Sequence, residues 1–322
     1  MEQTTMYSVL EAKETQLYKG TRISDYRLHS VLKKGGMSTV YLGYNVYTQE
    51  RVAIKMVASD SPHLEFFTRE VYFMQAMNHD CILPCLDAGQ YGPYHYMVMP
   101  YLGGGTLEDL IEERPLTLEE TQILLEQLSS ALSYMHAHGI VHRDIKPTNI
   151  LFDENYLLYL ADFGISSTLG EKPIHNGQVM GTAQYIAPEV LDGYLDERSD
   201  IYSVGILLYQ ALTGHLPFDG ENRWKICLQH KEQKPLALSI YNPAIPHAVE
   251  QVILRALEKD PNARYQSMKE LFAAFQKALE PSLLEKLAGS LREVGQHLRE
   301  HLAQDVPVWQ PVTAEQQVLQ AS

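Results

Sequence analysis

The chain has 322 residues, 45% of them apolar, and a formal net charge of −14. Its length exceeds the roughly 100–200 residues usual for one domain, so two lobes or domains with a sizeable core are expected. The acidic balance argues against nucleic acid or an anionic membrane surface as a main partner.

Three cysteines, Cys81, Cys85 and Cys227, are too few and odd in number for a disulfide scaffold, and they suit a reducing compartment. The Cys81–Cys85 spacing invites a metal-site reading, but no other Cys or His pairing completes a ligand set. Two reduced thiols flanking a strand are the simpler reading. Residues 1–19 are polar and acidic, unlike a signal peptide. No apolar run approaches the roughly 20 residues that span a bilayer. A cytoplasmic protein without a transmembrane segment is expected.

In chain order, residues 1–25 read as a polar leader. Apolar alternation begins at Tyr26 and continues past Gly35 and Gly36 to Val40 and Leu42, which predicts strands, with a turn over residues 45–50. Residues 52–57 form an apolar run with one lysine, Lys55, and predict a buried strand. A helix is expected after Pro62, with Phe66, Phe67, Val71, Met74 and Met77 on its apolar face. Glu70 falls in the middle of that stripe. A carboxylate there is costly to bury without a cationic partner, and Lys55 is the obvious candidate.

Gly103, Gly104 and Gly105 read as a hinge between two lobes. Thr117 and Glu120 form a T-x-x-E capping box that opens a helix running through Ile123, Leu124, Leu128, Leu132 and Met135. Residues 200–213 are apolar nearly all round and predict a buried central helix. Beyond residue 280, Leu284, Leu287, Leu291, Val294, Leu298 and Leu302 recur at helical spacing, interrupted by Gly289 and Gly295. This predicts an amphipathic helix, docked on the domain or exposed; the sharper alternative is a homodimer or partner surface. Residues 306–322 read as a flexible tail.

Three short motifs carry the chemistry: H-R-D-I-K-P-T-N at residues 142–149, D-F-G at 162–164 and A-P-E at 187–189. They follow a V-A-I-K string that ends in Lys55. In this order they resemble the eukaryotic-like Ser/Thr protein kinases of bacteria, over residues from about 26 to about 279. The resemblance implies an α+β, bilobal fold. An N-terminal antiparallel β-sheet lobe with one helix (26–101) would precede a mainly helical C-terminal lobe (102–280), followed by the 281–322 segment.

The resemblance also implies roles. Asp144 would accept the proton of a substrate Ser or Thr hydroxyl, and Lys146, which marks the Ser/Thr class, would place a cation near the transferred phosphate. Asn149 and Asp162 are hard oxygen donors suited to Mg²⁺, with Mn²⁺ as an alternative. Lys55 would hold the α- and β-phosphates of ATP, with Glu70 positioning it. Val40, Ala53 and Leu151 would sandwich the adenine, although as apolar strand residues they equally suit a plain core. Met99 would be the gatekeeper. Pro100 and Leu102 would meet the adenine edge through a carbonyl and an N–H. Asp200 would anchor the catalytic-loop backbone, and Glu189 would pair with Arg264.

Two departures from the family pattern stand out. The glycine-rich loop aligns on Lys33, Lys34, Gly35, Gly36, Met37, Ser38, Thr39 and Val40, with a lysine in place of the first glycine and a serine in place of the third. ATP is still expected to bind, since the middle glycine is kept. In the activation segment the only hydroxyls between Gly164 and Gly181 are Ser166, Ser167 and Thr168. Kinases of this type often carry a phosphate there that neutralises an arginine such as Arg143. Either these three are autophosphorylation sites, or Glu171 supplies the charge permanently. Thr182 is expected beside Asp144 and Lys146.

The leading expectation is therefore a Ser/Thr kinase acting on protein substrates. A pseudokinase scaffold is the alternative suggested by Lys33 and the bare segment. A small-molecule phosphotransferase would typically lack both the A-P-E element and the D-x-Y-S-x-G helix present here.

Overall fold

A computed structural model describes residues 20–36, 38–171, 174–175 and 178–280. Residues 1–19 of the leader expected over 1–25, Met37 and the 281–322 segment lie outside the described residues.

The first lobe is a six-stranded antiparallel sheet in the order β1-β2-β3-β4-β6-β5, formed by β1 (Arg22–Ile23), β2 (Tyr26–Lys34), β3 (Thr39–Asn45), β4 (Arg51–Ala58), β5 (Asp87–Tyr91) and β6 (Tyr94–Pro100). The sheet starts earlier than the alternation predicts. Ile23 is fully buried although it sits in a two-residue strand, too short to show a period. On β4, Val52, Ile54 and Met56 pack with Ile23, Leu28 and Val98 on one face. Ala53, Lys55 and Val57 alternate onto the other face. The register sets Val40 opposite Lys55, Lys55 opposite Met97, and Ala53 opposite Met99. Three adjacent strands thus bring the expected nucleotide-facing residues into one patch.

Helix α1 (Leu64–Ala76) covers that sheet. It begins after His63, so Pro62 precedes the helix and does not occupy its first turn. Glu70 is buried together with Phe67, Phe73 and Met74, as the wheel predicts for Glu70. Phe66 and Val71 are only half-buried, and Phe73 takes core space that the stripe assigned to them.

The segment after β6 lies against the second lobe. The Gly104 N–H donates to the Phe152 carbonyl at 2.9 Å. A Cβ on Gly104 would lie 2.2 Å from the Asp153 carbonyl oxygen. These glycines permit a close backbone approach to the second lobe, and the chain crosses between lobes just before them. Arg51 of β4 adds a strap, with an ion pair to Glu154 at 2.6 Å.

The second lobe contains α2 (Leu107–Glu113), α3 (Leu118–Ala137), α4 (Glu197–Thr213), α5 (Arg223–Glu232), α6 (His247–Ala256) and α7 (Met268–Leu279). The Thr117–Glu120 capping box forms reciprocally, and Thr106 with Asp109 forms a second one that opens α2. On α3, Leu124, Leu128, Leu132 and Met135 are buried, but Ile123 is 57% exposed, one position off the stripe. Helix α4 is the core of the lobe: from Ser199 to Thr213 only Gln210 is not buried. It packs against α6 so closely that a Cβ on Gly205 would sit 2.9 Å from Leu257. Short strands β7 (Ile140–Val141), β8 (Ile150–Phe152), β9 (Leu158–Leu160) and β10 (Ser167–Thr168) line the cleft side, pairing β8 with β9 and β7 with β10. Among the described residues, no helix is long and apolar enough to cross a membrane.

Candidate active site

Lys55 and Glu70 meet across the first lobe. The Lys55 Nζ lies 2.5 Å from Glu70 Oε2. Burial disfavours the ammonium, but the carboxylates of Glu70 and Asp162 outweigh it and hold the Lys55 pKa above its ordinary value. The lysine is therefore cationic, and Asp162 is close enough to act on it. Val40, Ala53 and Leu151 are half-buried, as residues facing a cleft should be, and Met99 is buried beneath them. Lys33, Lys34, Gly35 and Gly36 are exposed on the β2–β3 hairpin, and the Gly35 N–H donates to the Ser38 carbonyl at 2.9 Å, closing the loop. Pro100 ends β6, opposite Val52, and Leu102 follows it, half-buried against the core.

The catalytic loop leaves β7 and is held by one buried carboxylate. Asp200 at the start of α4 accepts the backbone N–H groups of His142 and Arg143, both at 2.9 Å, and His136 Nε2 lies 2.8 Å from the same side chain. These partners keep the Asp200 pKa below the ordinary carboxylate range, against burial that would raise it. Arg143 adopts φ +73° and Asp162 φ +67°, conformations that cost about 1–3 kcal/mol each for residues with a side chain. The strain thus sits at the two turns that aim Asp144 and the D-F-G aspartate. The Asp200 network and the fully buried Phe163, whose ring packs edge-on to His142 at 5.0 Å, hold those turns in place.

Asp144 is the centre of the second half of the site. Its Oδ2 accepts from Lys146 Nζ at 2.5 Å and Asn149 Nδ2 at 3.1 Å. Its Oδ1 accepts from the Thr182 N–H at 3.0 Å and the Thr182 hydroxyl at 2.7 Å. Lys146 also donates to Thr182 Oγ1 at 3.0 Å. Burial pushes the Asp144 pKa up, but the Lys146 charge and these hydrogen bonds prevail, and it stays below the usual carboxylate range. Thr182 lies where the sequence placed it.

Asn149 and Asp162 are adjacent through the backbone, since the Ala161 N–H donates to the Asn149 carbonyl at 2.9 Å. The Asn149 amide nitrogen donates to Asp144 Oδ2 and to the Asp144 carbonyl, the latter at 2.9 Å. That orientation leaves the amide oxygen as the donor on the opposite side. An amide oxygen and a carboxylate on neighbouring backbone segments are donor types that would suit a hard divalent cation. Cys81 and Cys85 lie elsewhere; Cys85 is half-buried, and burial pushes its thiol up to about 11.

Glu189 and Arg264 form the expected pair, bidentate at 2.9 and 2.7 Å, with Arg264 fully buried. The expectation that Ser166 and Ser167 are phosphorylation sites meets a correction: both are fully buried, and Ser166 Oγ donates to the His142 carbonyl at 3.2 Å. Thr168 is exposed but donates its hydroxyl to Glu171 at 2.7 Å. The sequence reading missed His136 and Arg69. His136 carries no motif signal. Arg69 precedes Glu70 on α1 and bonds the Ser166 carbonyl at 2.5 Å; only its place beside the stripe carboxylate hinted at it.

Residues 26–275 match the protein kinase domain family. The chain is 36% identical over 282 residues, 85% of its length, to the serine/threonine-protein kinase PrkC of Bacillus subtilis, of which it covers 44%. It is 35% identical over 268 residues, 79% of its length, to the serine/threonine-protein kinase PknB of Mycobacterium tuberculosis, covering 43% of that protein. The chain thus spans less than half the length of these curated relatives. It belongs to the protein kinase family. Within that family it is of the eukaryotic-like Ser/Thr type found in bacteria.

Proposed function

We propose that the chain transfers the γ-phosphoryl group of ATP to serine and threonine hydroxyls of proteins, its own included. The observation that carries this reading is the hydroxyl of Thr182. It lies 2.7 Å from Asp144 Oδ1 and 3.0 Å from Lys146 Nζ. A hydroxyl held between a carboxylate and an ammonium is the arrangement that an acceptor serine or threonine needs.

In the transfer, the acceptor oxygen bonds to the γ-phosphorus and the bond from that phosphorus to the β–γ bridging oxygen breaks. The hydroxyl proton passes to Asp144, whose lowered pKa keeps it an ionised acceptor at neutral pH. Lys146 sits beside the acceptor oxygen to offset charge on the moving group. Lys55, fixed by Glu70, is the cation for the α- and β-phosphates. Asn149 and Asp162 would hold Mg²⁺, with Mn²⁺ as the alternative. The ion would supply positive charge to offset that of the phosphates. Three free cysteines support a reducing, cytoplasmic setting for this activity.

Incubation of wild type and Asp144→Asn with labelled ATP, Mg²⁺ and a generic basic protein tests the reading. The variant should lose about 10²–10⁴-fold in rate while keeping its Tm. The wild-type label should be on Ser and Thr. Equal rates, or label absent from both, would refute it.

A further inference from the structure

The start of the activation segment carries a charged cluster apart from the residues assigned to nucleotide and acceptor. Arg69, next to Glu70 on α1, donates through Nε to the Ser166 carbonyl at 2.5 Å and pairs through Nη2 with Glu171. The second oxygen of Glu171 accepts the Thr168 hydroxyl at 2.7 Å. The Glu171 N–H closes a turn onto the Thr168 carbonyl at 3.1 Å. Strand β10, which contains Thr168, pairs with β7, directly before the catalytic loop, and the Leu169 N–H donates to Gly139 at 2.8 Å. Glu171 therefore ties the helix that carries Glu70 to the loop that carries Asp144. Its carboxylate also acts on Arg143, where Glu171 and Asp200 counter the like charge of Arg69.

The hydroxyls of the segment are accounted for in the same way. Ser166 and Ser167 are fully buried, and Thr168 is already bonded to Glu171. The stretch from residue 169 to residue 180 contains neither serine nor threonine. A phosphate would bring a charge of about −1.5 to −2 to the arginines of this corner. A carboxylate with a charge of −1 is already there, covalently part of the chain.

We propose that Glu171 is a built-in anion that positions α1, and through it the Glu70–Lys55 pair, so that this chain reaches its transfer-competent arrangement with no phosphate on the activation segment. The inference rests on the kinase reading above. Glu171 and Arg69 are positioning residues: they act through the helix that sets Glu70. The pair is partly exposed, with side-chain exposures of 31% for Arg69 and 43% for Glu171, so its direct contribution to stability is small. Its effect is on the population of one helix position over others.

The test uses the full chain, freed of phosphate by a phosphatase that is then removed, with intact mass as the check. Phosphate-free wild type should phosphorylate a generic basic protein without a lag. Glu171→Gln should lower kcat about three- to fivefold, with ATP KM within about twofold and Tm unchanged. Glu171→Asp should recover most of the loss. Arg69→Met combined with Glu171→Gln should be no slower than Arg69→Met alone, since both remove the same contact. A lag that ends as phosphate appears on Thr168 would overturn the proposal and leave the kinase reading intact. So would a Glu171→Gln variant as fast as wild type. A wild type inactive in both the phosphorylated and phosphate-free states would overturn both.

Discussion

Arg264 is a buried cation and Lys55 a half-buried one, each paired with a glutamate, and they differ in how many of their donors are used. Arg264 has five N–H groups and makes five hydrogen bonds. Two go to Glu189, and one each to the carbonyls of Arg198, Glu258 and Lys259, at 2.7–3.1 Å. Its face lies over the Tyr202 ring, 4.7 Å from the centroid. Lys55 has three donors and, among the described residues, bonds only Glu70. Its side chain keeps 18% exposure while that of Arg264 has none. A saturated cation has no capacity for a ligand and serves to tie the A-P-E element to the second lobe. An unsaturated one, held by a single carboxylate at the edge of a cleft, has donors to offer phosphate.

The comparison breaks first at Arg264. Arg264→Met should lower unfolding free energy by about 3–5 kcal/mol, because it leaves the mostly buried Glu189 carboxylate with only the Ser199 hydroxyl and removes the partner of three carbonyl groups. Denaturant titration measures this, and a loss under about 1 kcal/mol would place Arg264 with the ordinary surface pairs. Lys55→Met should do the reverse. Transfer rate should fall about 10²-fold or more, by analogy with losing one preorganised charge contact, while Tm changes little. Glu70 left alone can take up a proton, since burial already raises its pKa. Retained activity in Lys55→Met would remove the assigned role.

A smaller effect comes from pH, with one buried histidine in each region. His142 in the catalytic loop and His230, bonded to the Tyr202 hydroxyl at 2.9 Å, are fully buried. Burial lowers both pKa values, that of His230 to about 3 with help from the Lys259 cation. Below the unfolded value of about 6.5, the unfolded chain takes up protons that the folded chain refuses. Stability should therefore fall as pH drops from 7 to 5, by up to about 1.4 kcal/mol per pH unit for each histidine. The native carboxylates Asp144 and Asp200 contribute only near and below pH 4. His230→Gln should flatten the Tm profile between pH 6.5 and 5; an unchanged slope would show that His230 titrates normally. The smallest effect is expected at the loop. Lys33 is exposed and its strand partner is Val40, so Lys33→Gly should change ATP KM by no more than about threefold. A tenfold rise would make Lys33 a nucleotide contact.

Much of the site was legible because it is local in the chain. Asp144, Lys146 and Asn149 lie within one loop, and Asp162 sits next to Phe163 in a second short motif, so the family resemblance is what groups them. Lys55 and Glu70 were paired by a different route: a single charge in an apolar strand and another in an apolar helical stripe each need a partner, and each excludes the bland reading of the other. Capping boxes were equally readable, since Thr117 and Glu120 satisfy each other three residues apart. Ile23 was not legible, because a two-residue strand has no period. The glycine segment was read as a hinge between lobes, and nothing in its sequence signalled that Gly104 lies against the Asp153 carbonyl about fifty positions away.

The amino-acid order by itself determined the family, the fold class, the catalytic motifs and the need for a buried Lys–Glu pair. The family and fold class follow from the resemblance that the motifs carry, and the Lys–Glu pair from the cost of an unpaired buried charge. Only the tertiary structure decided which hydroxyls of the activation segment are accessible, that Arg69 and Glu171 join, that His136 supports Asp200, and that Arg264 is saturated. Those outcomes depend on groups dozens of residues apart meeting within hydrogen-bond distance, and no periodicity along the chain encodes a contact of that kind.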